Sequence, residues 1–247
     1  MESDQGERSF SVVIPNRFED VIKPLLESIE LYEPTPPRIM IVANGHDNNY
    51  GYESVTIPVR KGLRFNFARA VNAGIKAVEP DDVIVMNDDV RLLESGTFDT
   101  LSKMAYSDSD IGLISPLVDG GCGNLFMRQS RTDLWEDLPS GLHFCCARGG
   151  DRVTFACVYM KRSMLNSIGL FDEKFTSYGY DDADMCIRAV KQHWKVAITN
   201  RATVQHGVGG EHFVRGQNWS TSFKRIVGEN YKASLIYIRR KHPDFVR

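Results

Sequence analysis

The sequence has no CxxC pair, no internal repeat, no low-complexity stretch and no apolar run near the roughly 18 residues that a membrane helix needs. Its five cysteines are odd in number, with Cys145 and Cys146 adjacent. That is a poor disulfide framework and a poor zinc site, so the expected setting is reducing and cytoplasmic. The polar start, MESDQGERS, lacks the apolar core of a signal peptide. Neither sign of charge dominates: 30 Lys+Arg stand against 32 Asp+Glu, a formal net charge of −2. A nucleic-acid coat protein and a disordered acidic chain are both disfavoured by that balance. What is present is 247 residues, 42% of them hydrophobic, enough to build the core of one large α/β domain.

The first ninety residues alternate strand and helix. Phe10–Pro15 is a continuous β-branched run of the kind buried on both faces of a sheet. Glu19–Tyr32 reads as a helix, the Pro-rich Glu33–Pro37 as a link, Arg38–Ala43 as a second strand and Val55–Val59 as a third. Phe67–Val78 has helical apolar spacing, and Val83–Met86 is another buried strand running into Asn87-Asp88-Asp89. This order predicts a βαβ-built, mostly parallel sheet. Ligands of such sheets bind at the carboxyl ends of the strands, so Pro15-Asn16-Arg17, Asn44-Gly45 and Asn87-Asp88-Asp89 are expected on one rim. Residues 118–152 read as an irregular, substrate-facing insertion carrying Trp135, His143 and Phe144, with Phe144 expected to be packed. Strand Thr154–Met160, a short helix Met164–Ile168, an acid-headed helix Asp182–Gln192 and a C-terminal helix at about Phe223–Arg240 complete the pattern.

Four clusters have chemical potential. Asp88 and Asp89 at a strand end repel each other unless a cation or donors are present, and adjacent residues of an extended chain face opposite ways. One carboxylate then serves a metal and the other a ligand, although a solvated turn gives the same residues. Asp181, Asp182 and Asp184 head a helix, where the macrodipole favours acids. Three carboxylates in four residues exceed what capping requires, and crowding raises the proton affinity of at least one, as a general base needs. His206 leaves a strand into a glycine-rich turn with room to reach a metal. Arg60, Lys61, Arg64 and Arg69 lie just before and within a helix N-terminus, placed to meet a phosphate or simply to form a basic surface.

Taken in order, these segments resemble the family 2 glycosyltransferases, inverting enzymes of the GT-A fold that use nucleotide-sugar donors. Ser11-Val12-Val13-Ile14-Pro15-Asn16-Arg17 is similar to the family's first strand and nucleotide loop, and Ile41-Val42-Ala43-Asn44-Gly45 to its base-binding motif. Phe67–Ile75, with Arg69 and Asn72, is similar to the helix before the metal motif, and Asn87-Asp88-Asp89 takes the DxD-type position. Gly169–Glu173 followed by Tyr178–Arg188 resembles the segment with the catalytic acidic pair, and His206 falls where many members place a metal-binding His. Asn44 replaces the usual acid of the base motif, Asn66 a common Gly, and His193 the Gly that often closes the helix before Trp194. The resemblance covers about residues 10 to 210.

It implies one GT-A catalytic domain over 10–222: a nucleotide-binding half at 10–90, the 118–152 insertion, and an acceptor and catalytic half at 153–222. Residues 1–9 are read as a flexible N-terminus and 223–247 as a basic C-terminal helix and tail. It further implies a divalent cation, Mn²⁺ or Mg²⁺, held by Asp89 and His206. The donor would be UDP- or dTDP-linked, bound by Pro15, Asn16, Arg17, Asn44, Arg64, Arg69, Asn72 and Asp88. Asp182 would act as the base, its proton affinity raised by Asp181. The last 24 residues carry seven Lys/Arg against Glu229 and Asp244, so +5, leaving −7 for the rest. The cations are expected to point outward, to solvent, to a membrane surface or to nucleic acid. Acceptors consistent with this reading are a glycan, a lipid-linked sugar or a modified DNA base. A nucleotidyltransferase and an inactive sugar-nucleotide-binding protein are the competing readings.

Overall fold

The computed structural model describes residues 9–17, 21–45, 50–57, 65–119, 140–148, 152–175, 179–207 and 221–246, with only the backbone helix described over 221–228. Nine strands form one sheet: β1 (Phe10–Asn16), β2 (Arg38–Asn44), β3 (Glu53–Ile57), β4 (Asp82–Met86), β5 (Val90–Leu92), β6 (Ile111–Asp119), β7 (Leu142–Cys145), β8 (Cys157–Met160) and β9 (Lys195–His206). The described helices are α1 (Lys23–Tyr32), α2 (Phe67–Ala77), α3 (Thr97–Tyr106), α4 (Arg162–Ile168), α5 (Asp181–Lys191) and α6 (Thr221–Lys241).

The strand order is β3-β2-β1-β4-β8-β6-β9-β5, with β7 also on β9. The β3-β2-β1-β4 half is parallel, as the βαβ pattern predicts. Beyond β4 the sheet is mixed: β8 runs antiparallel to β4 and β6, and β5 and β7 run antiparallel to β9. Alternation along β1 shows why the run is apolar throughout. Val13 packs with Val42, Val71 and Ile75 on the α2 face, while Val12 and Ile14 pack with Leu25, Ile29 and Phe98 on the α1 and α3 face. Both faces are covered, giving an α/β/α arrangement. Gly74 lets α2 lie close to the sheet, since a Cβ there would collide with the Val13 and Val42 side chains.

Several expected boundaries shift. β8 begins at Cys157, not Thr154, and β7 lies inside the segment expected to be irregular. β5, α3 and most of β6 and β9 have no counterpart in the sequence reading. Phe144, expected to be packed, is 46% exposed, with the Lys195 ammonium 5.7 Å from its ring centre. Trp135 and Arg64 lie outside the described residues. His193, where a glycine is common, has φ 65° just after α5, the left-handed region that costs a side chain about 1–2 kcal/mol. No helix among the described residues is long and apolar enough to cross a membrane.

Candidate active site

β1 and β4 are parallel neighbours, so their carboxyl ends open onto one rim. There the Asp88 carboxylate accepts from the Asn16 side-chain amide and from the Arg17 backbone N–H, both at 3.0 Å. Removal from water, and then the negative charge of Asp89, push the Asp88 carboxyl up to about 6, against the pull of those donors. Pro15 and Asn16 are buried in the strand end, and the Arg17 guanidinium lies 5.8 Å from the Phe65 ring centre. Asn44 ends β2 beside them, half-buried. The rim predicted from the strand ends is the rim observed.

Asp89 turns the other way. Its carboxylate Oδ1 lies 3.2 Å from Nε2 of His206, and both side chains are at most one-tenth exposed. Pairing of Val90 in β5 with His206 in β9 brings Asp89 and His206, 117 positions apart, together, and the Gly207 N–H donates to the Asp89 carbonyl at 2.9 Å. Asn87 Nδ2 approaches the same His206 nitrogen at 3.3 Å. Among the described residues no group of three or more His, Cys, Asp or Glu forms a metal cage. A carboxylate and an imidazole side by side still suit a divalent cation that takes its remaining ligands from phosphate oxygens and water, the usual economy of Mg²⁺-type sites. The donor set therefore fits the cation that the resemblance implies.

One expected donor contact, Asn72, has its side chain engaged within the chain. Asn72 is buried, and its amide is committed to the chain: Nδ2 donates to the Phe171 carbonyl (2.9 Å) and to Glu173 Oε1 (3.0 Å), while Oδ1 accepts from Phe171 N–H (2.9 Å). Asn66 caps α2 by accepting from Arg69 N–H at 2.8 Å and donates to the Glu173 carbonyl at 2.9 Å. These amides tie α2 to the segment leading into the acidic helix. Arg69 sits on the first turn of α2, and its buried Nε has no hydrogen-bond partner among the described residues.

The second carboxylate pair opens α5. Asp182 is buried; its Oδ2 accepts from Arg152 Nε at 3.1 Å and its Oδ1 from Ala183 N–H at 2.7 Å. The Arg152 guanidinium is itself buried and lies 5.4 Å from the Tyr180 ring centre. Asp181 is the carboxyl driven up, to about 7, by loss of solvent and by the charge of Asp182. The crowding argument holds, but it acts on the first member of the pair: the ion pair with Arg152 belongs to Asp182. Arg152 went unnoticed in the sequence because nothing local marks a lone arginine at the end of an irregular stretch.

Asp184 does something else. Fully buried, it accepts from Arg188 Nε (2.8 Å) one turn on, and from Lys241 Nζ (2.7 Å) and His242 Nε2 (2.8 Å) at the end of α6. These partners outweigh the cost of burial and hold its carboxyl down at about 2. Lys241 also reaches Asp172 at 2.6 Å, so one cation expected to face outward is turned inward. Arg239 and Arg240 are exposed, as expected.

A mixed sheet covered on both faces, with acids gathered at strand ends and at a helix start, is the arrangement of a GT-A type domain. The family model described as glycosyltransferase like family 2 matches residues 8–226, and the chain belongs to that family. No curated protein matches the sequence. Among solved structures, the mannosyltransferase PcManGT from Pyrobaculum calidifontis, in complex with GDP-Man and Mn²⁺, is similar at TM-score 0.59 and 13% identity, over 94% of this chain and 75% of that one. GalNAc-T7 with UDP, GalNAc and Mn²⁺ is similar at TM-score 0.60 and 13% identity, over 97% of this chain but only 55% of its own. TarS from S. aureus matches at TM-score 0.57 and 12% identity over 97% and 44%. At such identities the likeness is one of fold.

Proposed function

We propose that this glycosyltransferase-family protein transfers a sugar from a nucleoside-diphosphate sugar to an acceptor hydroxyl with inversion, assisted by a divalent cation. The observation that carries the reading is the buried Asp89–His206 contact, 3.2 Å across, on the rim formed by the carboxyl ends of β1 and β4. Asp89 and His206 would hold the cation, which supplies charge neutralisation for the departing diphosphate. Asp88, fixed by Asn16 and the Arg17 amide, faces the nucleotide ribose or the donor sugar. The buried Nε of Arg69, without a hydrogen-bond partner among the described residues, is suited to a phosphate oxygen. Asn44 can both donate and accept, which suits a uracil or thymine edge and favours a UDP- or dTDP-linked donor.

On the acceptor side Asp182 takes the proton of the attacking hydroxyl. The acceptor oxygen forms its bond to the anomeric carbon from the face opposite the leaving group, and the bond from that carbon to the diphosphate oxygen breaks. The nucleoside diphosphate departs with the electron pair. A carboxylate offers about four lone-pair sites, and Arg152 and Ala183 N–H use two, so Asp182 keeps capacity for a proton. Arg152 fixes its orientation, and Asp181 supplies a neighbouring negative charge that favours proton uptake by the pair.

A thermal-shift screen of nucleotide sugars and nucleoside diphosphates, with and without Mn²⁺, tests the donor and the cation together. A Mn²⁺-dependent rise in melting temperature with one nucleotide is the expected result. Product analysis then separates this reading from a nucleotidyltransferase, because glycosyl transfer releases nucleoside diphosphate and nucleotidyl transfer releases pyrophosphate.

A further inference from the structure

The family model ends at residue 226, but α6 continues to Lys241 and the described chain to Val246. Among the described residues, the contacts that tie this segment to the acidic helix come from beyond that limit. At the start of α5, Gly179 (φ 80°) and Tyr180 (φ 71°) form a left-handed turn that aims Asp181 and Asp182. Tyr180 is a residue type for which that conformation is strained, and its side chain makes no cap to the helix. Tyr231 of α6 covers this turn. Its hydroxyl lies 3.0 Å from the Tyr180 hydroxyl, the two ring centres are 5.0 Å apart, and its ring packs so closely on Gly179 that a Cβ there would meet ring carbons at 2.9 and 3.0 Å.

At the other end of α6, Lys241 and His242 grip Asp184, only two residues after Asp182. His242 is buried between Lys191 Nζ, 2.9 Å from Nδ1, and Asp184 Oδ1, 2.8 Å from Nε2. An ammonium can only donate, so Nδ1 accepts from Lys191 and Nε2–H donates to Asp184. Tyr237 and Lys241 also hold Asp172, inside the segment that Asn66 and Asn72 tie to α2. The first turn of α5 is thus held from both sides by one helix.

We propose that residues 231–242, the second half of α6 and the residue after it, are a positioning strap for the acid-bearing helix, with Tyr231 and His242 as positioning residues that set where Asp181 and Asp182 stand. This rests on reading that pair as the proton-accepting groups. The strap explains why a basic C-terminal segment is folded onto the domain: one face docks by specific polar contacts, and the exposed Arg239 and Arg240 take no part in the grip on Asp184.

The test uses the full chain labelled with ¹³C-aspartate. The Asp181 carboxyl is titrated by NMR from pH 4 to 9 in the wild type and in His242→Leu, His242→Gln and Tyr231→Phe, with melting temperatures measured alongside. His242→Leu removes both hydrogen bonds of the imidazole, whereas Gln can still donate to Asp184 and accept from Lys191. The charged and titratable groups around Asp181, namely Asp182, Arg152, Tyr180, Asp184, Cys186 and Arg239, are kept in every variant, while Tyr231→Phe removes one phenol and the His242 variants one imidazole. In the folded His242→Leu and Tyr231→Phe chains, the Asp181 midpoint should fall by about half a unit or more as the turn loosens and admits water, and Gln should restore it. Unchanged midpoints in folded variants overturn the strap, as does a shift that Gln fails to restore. Turnover of Asp181→Asn and Asp182→Asn is measured separately. Full activity there overturns the base reading whatever the titration gives, so the two failures are distinguishable.

Discussion

The chain places an Asp-Asp dipeptide at two element ends and treats each differently. At the end of β4, Asp88 and Asp89 point apart, one to an amide and a backbone N–H, the other to an imidazole. At the start of α5, Asp181 and Asp182 share a helix terminus, and a guanidinium sits on the second. The strand end surrounds its pair with neutral donors and an imidazole, which under the proposed reading leaves negative charge for a cation to neutralise. The helix start supplies a cation of its own and crowds the first carboxyl up to about 7, so it is suited to handling a proton. Adjacent carboxylates do not define a chemistry; the groups brought to them do.

The sharpest way to break this comparison is Asp182→Asn. Losing the base should lower turnover about 10²–10⁴-fold, read as nucleoside-diphosphate release, with donor affinity by titration nearly unchanged. Asp89→Asn should act through the cation and the donor instead. Mn²⁺ should no longer add to the melting-temperature rise given by the nucleotide, and turnover should fall on the order of 10²-fold through lost donor binding and leaving-group stabilisation. If Asp182→Asn abolished the Mn²⁺ effect, the two pairs would not be functionally separate.

Arg152→Met leaves the Asp182 carboxylate buried without its cation and should cost about 3 kcal/mol in urea unfolding, with no effect on the Mn²⁺-dependent shift. Asn72→Ala removes a buried amide that spans two halves of the domain. A loss of about 1–3 kcal/mol of stability with unchanged donor affinity would assign it to the scaffold. Weakened donor binding at unchanged stability would return it to the donor site.

The smallest effect is in pH. Asp181 is held above its ordinary value of 3.8, so between there and about 7 the folded chain retains a proton that the unfolded chain has released. This group's contribution therefore makes stability fall as the pH rises through that window. Melting curves across it should flatten in Asp181→Asn, and an identical slope in the variant would remove the assignment.

Much of the donor side was legible in the sequence because it is local. Buried β-branched runs identify β1 and β4, parallel strands put their carboxyl ends together, and the residues following those ends must then meet; Asn16 and Asp88 do. The expectation for Asn72 was less faithful, because its motif marks a place on a helix and says nothing of what lies opposite. β5 and β9 were also hidden. β5 is three residues long, and β9 runs twelve residues between changing neighbours, so neither carries a clean alternation. Their pairing is nevertheless what delivers His206 to Asp89.

The sequence by itself determined the class of fold, the family and the position of each acidic pair, because hydrophobic periodicity and motif spacing are properties of neighbouring residues. Only the tertiary structure decided what each acid meets. Arg152, His206, Lys241 and His242 arrive from 30, 117, 57 and 58 residues away from their partners, at Asp182, Asp89, Asp184 and Asp184. Their choice of partner depends on charge, burial and geometry at the point of contact, which no window of the sequence contains. The near-neutral total and the +5 tail illustrate the same limit: a count of charges cannot show that Lys241 is folded inward onto Asp172 and Asp184.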